Sequence, residues 1–194
     1  MRLFAGIALA EAVVRELEAV VARLRAAIAH AGGRLRWTAP DTWHITLQFL
    51  GNATPGQFDC LLKALAEVRS APVPVALGPL GWLDRTGVLY ADVEAAPALT
   101  ALALWIAEAT SPCGFAADAR PFHPHITLAR EAGTGERKPR RAGRSELSRG
   151  LATRAGAMPP FPRFSAGEFL LYESHLSPAG ARYEVRARFR LTGG

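Results

Sequence analysis

Two of the five histidines in the chain stand in the same tetrapeptide, His44-Ile45-Thr46-Leu47 and His125-Ile126-Thr127-Leu128. Each copy is β-branched and apolar enough to form a strand, and each borders a Gly- or Pro-marked break. Side chains two apart share a strand face. His44 and Thr46 therefore point one way while Ile45 and Leu47 anchor the other face, and His125 and Thr127 repeat the arrangement against Ile126 and Leu128. An imidazole titrates near neutral pH, so one member of a pair can hold a proton while the other is free to take one. A hydroxyl beside it can donate to an oxygen on which charge builds. The residues alone also leave a plainer reading open, two half-buried strands with incidental histidines, because a short repeat in an alanine- and leucine-rich chain is weak evidence.

The surrounding sequence supplies the elements that must hold these pairs. Arg2–Leu9 reads as a strand. The first ten residues resemble a secretory signal, but their charged region is a single arginine and a strong helix follows, so a strand is expected. From Glu11 to about Ala31, Val13, Val14, Leu17, Val20, Val21, Leu24 and Ile28 recur at three and four, which predicts an amphipathic helix stopped by Gly32-Gly33. A short strand over Arg34–Trp37 and a turn lead into the first motif strand, Trp43–Leu50. A second helix is expected from Pro55 to about Arg69, then a strand region from Pro72 to Leu83, a turn at Asp84–Gly87 and a return strand, Val88–Val93. A third helix, from Pro97 to about Ala109, precedes the second motif strand, His125–Arg130. The order therefore recurs loosely, as if two related lobes each contributed one motif strand. Phe164–Leu176 and Arg182–Leu191 close the chain as a hairpin, with Arg186, Arg188 and Arg190 predicted on one solvated face. The fold class that follows is α+β: one bilobal domain over residues 1–194, two pseudo-symmetric lobes of largely antiparallel sheet with helices packed outside and a cleft between them.

Composition narrows the partners. All but Lys63 and Lys138 of the 23 basic residues are arginine, and the net charge is +6, which suits an anionic partner such as nucleic acid. Residues 136–154 hold seven basic residues against Glu136 and Glu146, so 132–160 reads as a mobile basic loop. A GC-rich genome and a merely solvated loop account for both features equally well. No apolar run approaches the ~20 residues a membrane span needs, so no membrane partner is expected. Cys60 and Cys113 form no C-x-x-C pair, and two cysteines in a chain this long are no disulfide scaffold, which points to a reducing, cytoplasmic setting.

Four stretches together resemble the 2H phosphoesterase superfamily, and within it the RNA 2′,3′-cyclic phosphodiesterase branch, also called 2′-5′ RNA ligase. They are Arg2–Ile7, Trp43–Gly51, Arg120–Arg130, and Leu171-Tyr172-Glu173-Ser174 with Gly180 and Tyr183. They span the chain in the family's order. Position 48, often basic in the family, is Gln48 here, and the 132–160 loop does not align.

The resemblance implies hydrolysis of RNA 2′,3′-cyclic phosphodiester ends to 2′-phosphomonoesters. His44 is then the proton donor to the leaving 3′-oxygen, and His125 the proton acceptor that activates water. Thr46 and Thr127 bind the non-bridging phosphoryl oxygens, with Arg130 as a further phosphate ligand. No metal and no cofactor are required. The substrate is RNA with a 2′,3′-cyclic phosphate end, tRNA fragments among the candidates, and the enzyme is expected to be a monomer. Run backwards with a 5′-hydroxyl nucleophile, the same site makes a 2′-5′ linkage. Arg130 lies five residues after His125, so an unbroken strand sends it to the wrong face; a bulge is needed to turn it inward. Phe49, Phe122 and Trp43 are near enough in sequence to stack on a base, and none is assigned. His123 is read as a rim residue, His30 and His175 as structural or surface. Two other readings remain: a phosphodiesterase for a small cyclic phosphate, such as an ADP-ribose cyclic phosphate or a cyclic nucleotide, and a non-catalytic RNA-binding module.

Overall fold

A computed structural model of the chain describes residues 1–30, 35–83, 86–131, 161–177 and 180–193. Its first strand, β1 (Arg2–Ala8), buries Leu3, Ala5 and Ile7 in the main core and turns Phe4 and Gly6 to its other face. Helix α1 (Glu11–His30) follows and lays Leu17, Val20, Val21, Leu24 and Ile28 against the same core, the stripe expected from the sequence. β2 (Leu35–Trp37) is short. β3 (His44–Asn52) carries the first motif. Helix α2 (Pro55–Ala66) starts at a capping box in which Thr54 accepts from the Gln57 amide and the Gln57 side chain accepts in return from the Thr54 amide. Such a cap contributes about 1 kcal/mol.

Then come β4 (Val73–Val75), β5 (Leu77–Leu83), β6 (Val88–Val93) and helix α3 (Pro97–Thr110). β7 (His125–Glu131) carries the second motif, and β8 (Phe164–Ala166), β9 (Glu168–Ser177) and β10 (Gly180–Arg190) finish the described fold. One four-stranded sheet has the order β10-β9-β1-β3, the other β2-β7-β6-β5, and β4 pairs with β8. Every pairing is antiparallel. A single buried cluster draws on both four-stranded sheets and all three helices. The α+β architecture is thus as the sequence indicates.

Three expectations need correction. Cys60 and Cys113 are bonded, with Cα atoms 5.7 Å apart across a sequence separation of 53 residues. α2 packs on α3 and on the turn Ser111–Cys113 that ends it, and Gln57 Nε2 donates to the Cys113 carbonyl at 3.3 Å. Sequence spacing carried no sign of that approach, and the bond removes the cysteine argument for a reducing compartment. Second, the last strand does not alternate cleanly. A bulge between Val185 and Ala187 leaves Val185 exposed and turns Arg186 towards α2, where its guanidinium lies over the Phe58 ring and pairs with Glu173. Third, the strand expected over Phe164–Leu176 is broken at Gly167 into β8 and β9. The basic loop 132–160 lies outside the described residues, as do the Gly32-Gly33 stop and the tips of the turns at 84–85 and 178–179. Among the described residues, no helix is long and apolar enough to cross a membrane.

Candidate active site

The two motif strands are built alike and touch each other. In β3, Ile45 and Leu47 are buried and His44 and Thr46 are half-buried on the opposite face; in β7, Ile126 and Leu128 are buried and His125 and Thr127 take the other face. Both strands then slip. Gly6 pairs with Thr46 but Ala5 pairs with Gln48, and Tyr90 pairs with Thr127 but Leu89 pairs with Ala129. Each bulge puts two consecutive residues, Leu47-Gln48 and Leu128-Ala129, on the buried side. Residues five places after each histidine, Phe49 and Arg130, are thereby returned to the histidine face. The bulge that Arg130 required is present.

Both imidazoles are tethered in the same way. His44 Nδ1 lies 2.8 Å from the carbonyl oxygen of Thr42, and His125 Nδ1 lies 2.8 Å from that of His123. A carbonyl oxygen only accepts, so Nδ1 carries the proton in both rings and each Nε2 is left for chemistry.

The surroundings of the two rings differ. His44 sits in an aromatic wall. The Phe4 ring centroid is 4.6 Å away, Tyr183 meets it edge-on at 4.9 Å, and Tyr172 lies at 5.8 Å. Burial there pushes its pKa down to about 4, against the Thr42 carbonyl, which raises it; the charge of His125 lowers it further. Gly6 makes the packing possible, because a Cβ at that position would stand 2.8 Å from the Ile45 carbonyl oxygen and 3.6 Å from the His44 ring. The His125 pKa is also lowered by burial, while the His123 carbonyl raises it, the charges of His123 and Arg130 lower it, and Asp92 raises it. Around His125 stand Tyr90, at 5.5 Å and edge-on, and His123, at 5.6 Å.

Arg130 is exposed on β7, yet its charge also acts on the phenol of Tyr183, on β10 of the other sheet, whose pKa burial raises and Arg130 and Arg2 lower. It therefore stands where the two sheets approach. His44, Thr46, His125 and Thr127 are on the faces that alternation assigned them, and Arg130 joins them through the bulge.

Phe49, Tyr90 and Asp92 join the site without having been singled out as members of it. Phe49 is 55% exposed, with the Arg2 guanidinium 5.0 Å above its ring. Carrying the motif comparison two residues further, so that Phe49 aligns with Arg130, was the available signal. Trp43 is buried in the core, and Phe122 is partly buried against it. His175 pairs with Glu184 at the surface. Among the described residues, no group of three or more His, Cys, Asp or Glu is arranged to hold a metal ion.

Two histidine–threonine pairs stand at equivalent stations on bulged strands of the two sheets, near enough that the charge of His125 acts on His44, an arrangement that suits a two-histidine phosphoesterase. The family model for LigT-like phosphoesterases matches the chain twice, over residues 7–90 and 91–183, one match to each half. The chain belongs to the LigT-like phosphoesterase family. It is 30% identical over 170 residues to the RNA 2′,3′-cyclic phosphodiesterase of Bacillus subtilis, covering 81% of each protein. It is 35% identical over 163 residues to the enzyme of that name from Geobacillus stearothermophilus, where the match takes in 81% of this chain and about half, 48%, of the relative. Among solved structures, that of Escherichia coli LigT complexed with 3′-AMP matches with a TM-score of 0.73 and 26% identity over 98% of both chains.

Proposed function

We propose that this phosphoesterase hydrolyses 2′,3′-cyclic phosphodiester ends of RNA to 2′-phosphomonoesters. His44 is the proton donor to the departing 3′-oxygen and His125 the acceptor that activates water. The observation that carries the reading is the matched tethering of the two imidazoles at equivalent stations of two bulged strands, each Nδ1 held by the carbonyl two residues upstream.

The contrasting surroundings fit those roles. An imidazolium buried among Phe4, Tyr172 and Tyr183 is a strong acid, ready to lose its proton. Among these side chains His44 is neutral at pH 7, with a pKa of about 4. A phosphodiester anion about 4 Å away favours its charged form by about 4 kcal/mol at an effective dielectric near 20, enough to return it to the neutral range. Substrate therefore loads the acid. His125 faces the Asp92 carboxylate across the β6–β7 ladder; an anion there stabilises the imidazolium that forms as it takes the proton from water, the part a carboxylate plays beside a histidine base. Thr46 and Thr127, on the same faces as the histidines, donate to the non-bridging oxygens, and Arg130 neutralises the phosphoryl charge. Phe49 stacks on the terminal base, with Arg2 beside it for the next phosphate. Reversal, with a 5′-hydroxyl in place of water, gives a 2′-5′ linkage by the same proton transfers.

Short RNAs ending in a 2′,3′-cyclic phosphate, tRNA-derived fragments included, are compared with a free 2′,3′-cyclic nucleotide. Release of the 2′-phosphomonoester, with kcat/KM higher for the RNA and small-substrate turnover inhibited by the long one, supports the reading. A preference for the free nucleotide moves it to a small cyclic phosphate, and RNA binding without turnover moves it to a binding module.

A further inference from the structure

The two halves of the site match closely enough that their differences can be located. In the first half Ala8 pairs with His44 and Thr42 stands two residues ahead of it. In the second half Asp92 pairs with His125 and His123 stands two residues ahead. A carboxylate and an imidazole thus occupy the second half where the first has a methyl group and a hydroxyl, and Thr42 spends that hydroxyl on the Ala39 carbonyl. His123 Nε2 lies 3.2 Å from Asp92 Oδ1. That oxygen is buried and makes no well-aligned hydrogen bond, and the His123 ring nitrogen is the polar group that stands against it.

The cluster has a prepared floor. Strand β5 presents Gly78 and Gly81 beneath it. A Cβ at Gly78 would stand 3.2 Å from that of Asp92, and one at Gly81 would stand 2.2 Å from the Tyr90 ring, so only bare backbone lets these side chains lie flat. Tyr90 then meets both His123 and His125 edge-on, at 5.4 and 5.5 Å. Tyr90 from β6 and His125 from β7 meet the His123 ring, Arg130 adds its charge at His125, the charge of His125 in turn reaches His44 on β3, and β5 contributes no charge. Asp92 is the one anion among those acting on His125.

We propose that Asp92 and His123 are positioning residues for His125: the carboxylate holds the His123 ring against it and stabilises the imidazolium formed when His125 takes a proton from water. The pair sets the pH at which His125 works and leaves His44 to its aromatic wall. This rests on the reading of His125 as proton acceptor.

The test is a pH–rate profile of Asp92→Asn, His123→Asn and the double variant, with a dinucleotide ending in a 2′,3′-cyclic phosphate. A base must be free of its proton, so His125 governs the acid limb. His123 acts to lower the His125 pKa and Asp92 to raise it, so His123→Asn moves that limb to higher pH and Asp92→Asn moves it to lower pH. Each single variant lowers kcat about tenfold with KM within about twofold, and the double variant falls far short of the product of the two losses, as residues acting as one unit do. Where Asp92→Asn lowers the yield of folded protein, His123→Asn decides alone, because its side chain is 50% exposed. Unmoved limbs, a loss confined to KM, or multiplicative losses overturn the proposal. A shift on the alkaline limb instead keeps the pair acting on His125 and overturns its role as base.

Discussion

Phe49 and Arg130 occupy the same station in the two halves of the molecule, each five residues after a motif histidine and each returned to the histidine face by a bulge at the pair of residues that follows the motif threonine. One half thus offers the cleft an aromatic face and the other a guanidinium, which matches a ligand with a base at one end and a phosphate at the other.

Phe49→Ala removes that aromatic face at a position where the ring is 55% exposed and contributes little to the core. Base–aromatic stacking is worth about 1–3 kcal/mol, so KM for a nucleotide-bearing cyclic phosphate rises roughly 5- to 150-fold with kcat nearly unchanged. Phe49→Trp restores it. Steady-state kinetics with one substrate separates the two parameters.

Arg130→Lys keeps the charge but loses the planar, bidentate fork. Its kcat/KM falls roughly tenfold, and Arg130→Ala falls further, by an amount that salt diminishes. Rates measured over a range of ionic strength distinguish lost geometry from lost charge.

Substrate-induced charging of His44 predicts proton uptake on binding. With the His44 pKa lowered to about 4 by burial, inorganic phosphate or a 2′-nucleotide binds more tightly as pH falls from 7 towards 5.5. Calorimetry in buffers of different ionisation enthalpy then reports a proton taken up. In His44→Gln the uptake disappears.

The same group makes the fold acid-sensitive. Its folded pKa lies below the unfolded value of 6.5, so the unfolded chain binds the proton more readily. Stability is full above pH 6.5 and falls as the pH drops towards 4, by about 3 kcal/mol from this group alone. Denaturant midpoints for the wild type fall more steeply across that window than those of His44→Gln.

Gly6→Ala sets a methyl group against the Ile45 carbonyl, 2.8 Å from where Cβ must go. β3 has to shift and His44 with it. The variant loses stability by about 1–3 kcal/mol and loses kcat, whereas Gly56→Ala, where the added carbon meets nothing within 4 Å, leaves both intact. Melting curves and turnover of the two variants make the comparison.

Much of this arrangement was legible in the residues. Alternation along β3 and β7 places the His-Thr pairs on one face and Ile45, Leu47, Ile126 and Leu128 on the other, because burial of a strand face leaves no freedom of register. Spacing also located the helices, and for Arg130 it exposed the need for a bulge. What it did not carry were relations between distant segments. Each bulge depends on register with a partner strand, so spacing alone did not carry the face Phe49 takes or the irregular phase at Arg186. Cys60 and Cys113 are 53 residues apart and meet only because α2 packs on α3. Asp92 reaches His125 through strand pairing across a gap of more than thirty residues, and His123 looked like rim until its partner appeared.

The two-histidine mechanism stands or falls with His44 and His125. Purified protein is given a short RNA with a 2′,3′-cyclic phosphate end, in the presence of EDTA, beside His44→Ala and His125→Ala. The expected result is conversion to the 2′-phosphomonoester by the wild type and a loss of at least about 1,000-fold in kcat for each variant, the scale of removing a positioned acid or base. Retention of more than about a tenth of the wild-type rate by either variant contradicts the two-histidine mechanism.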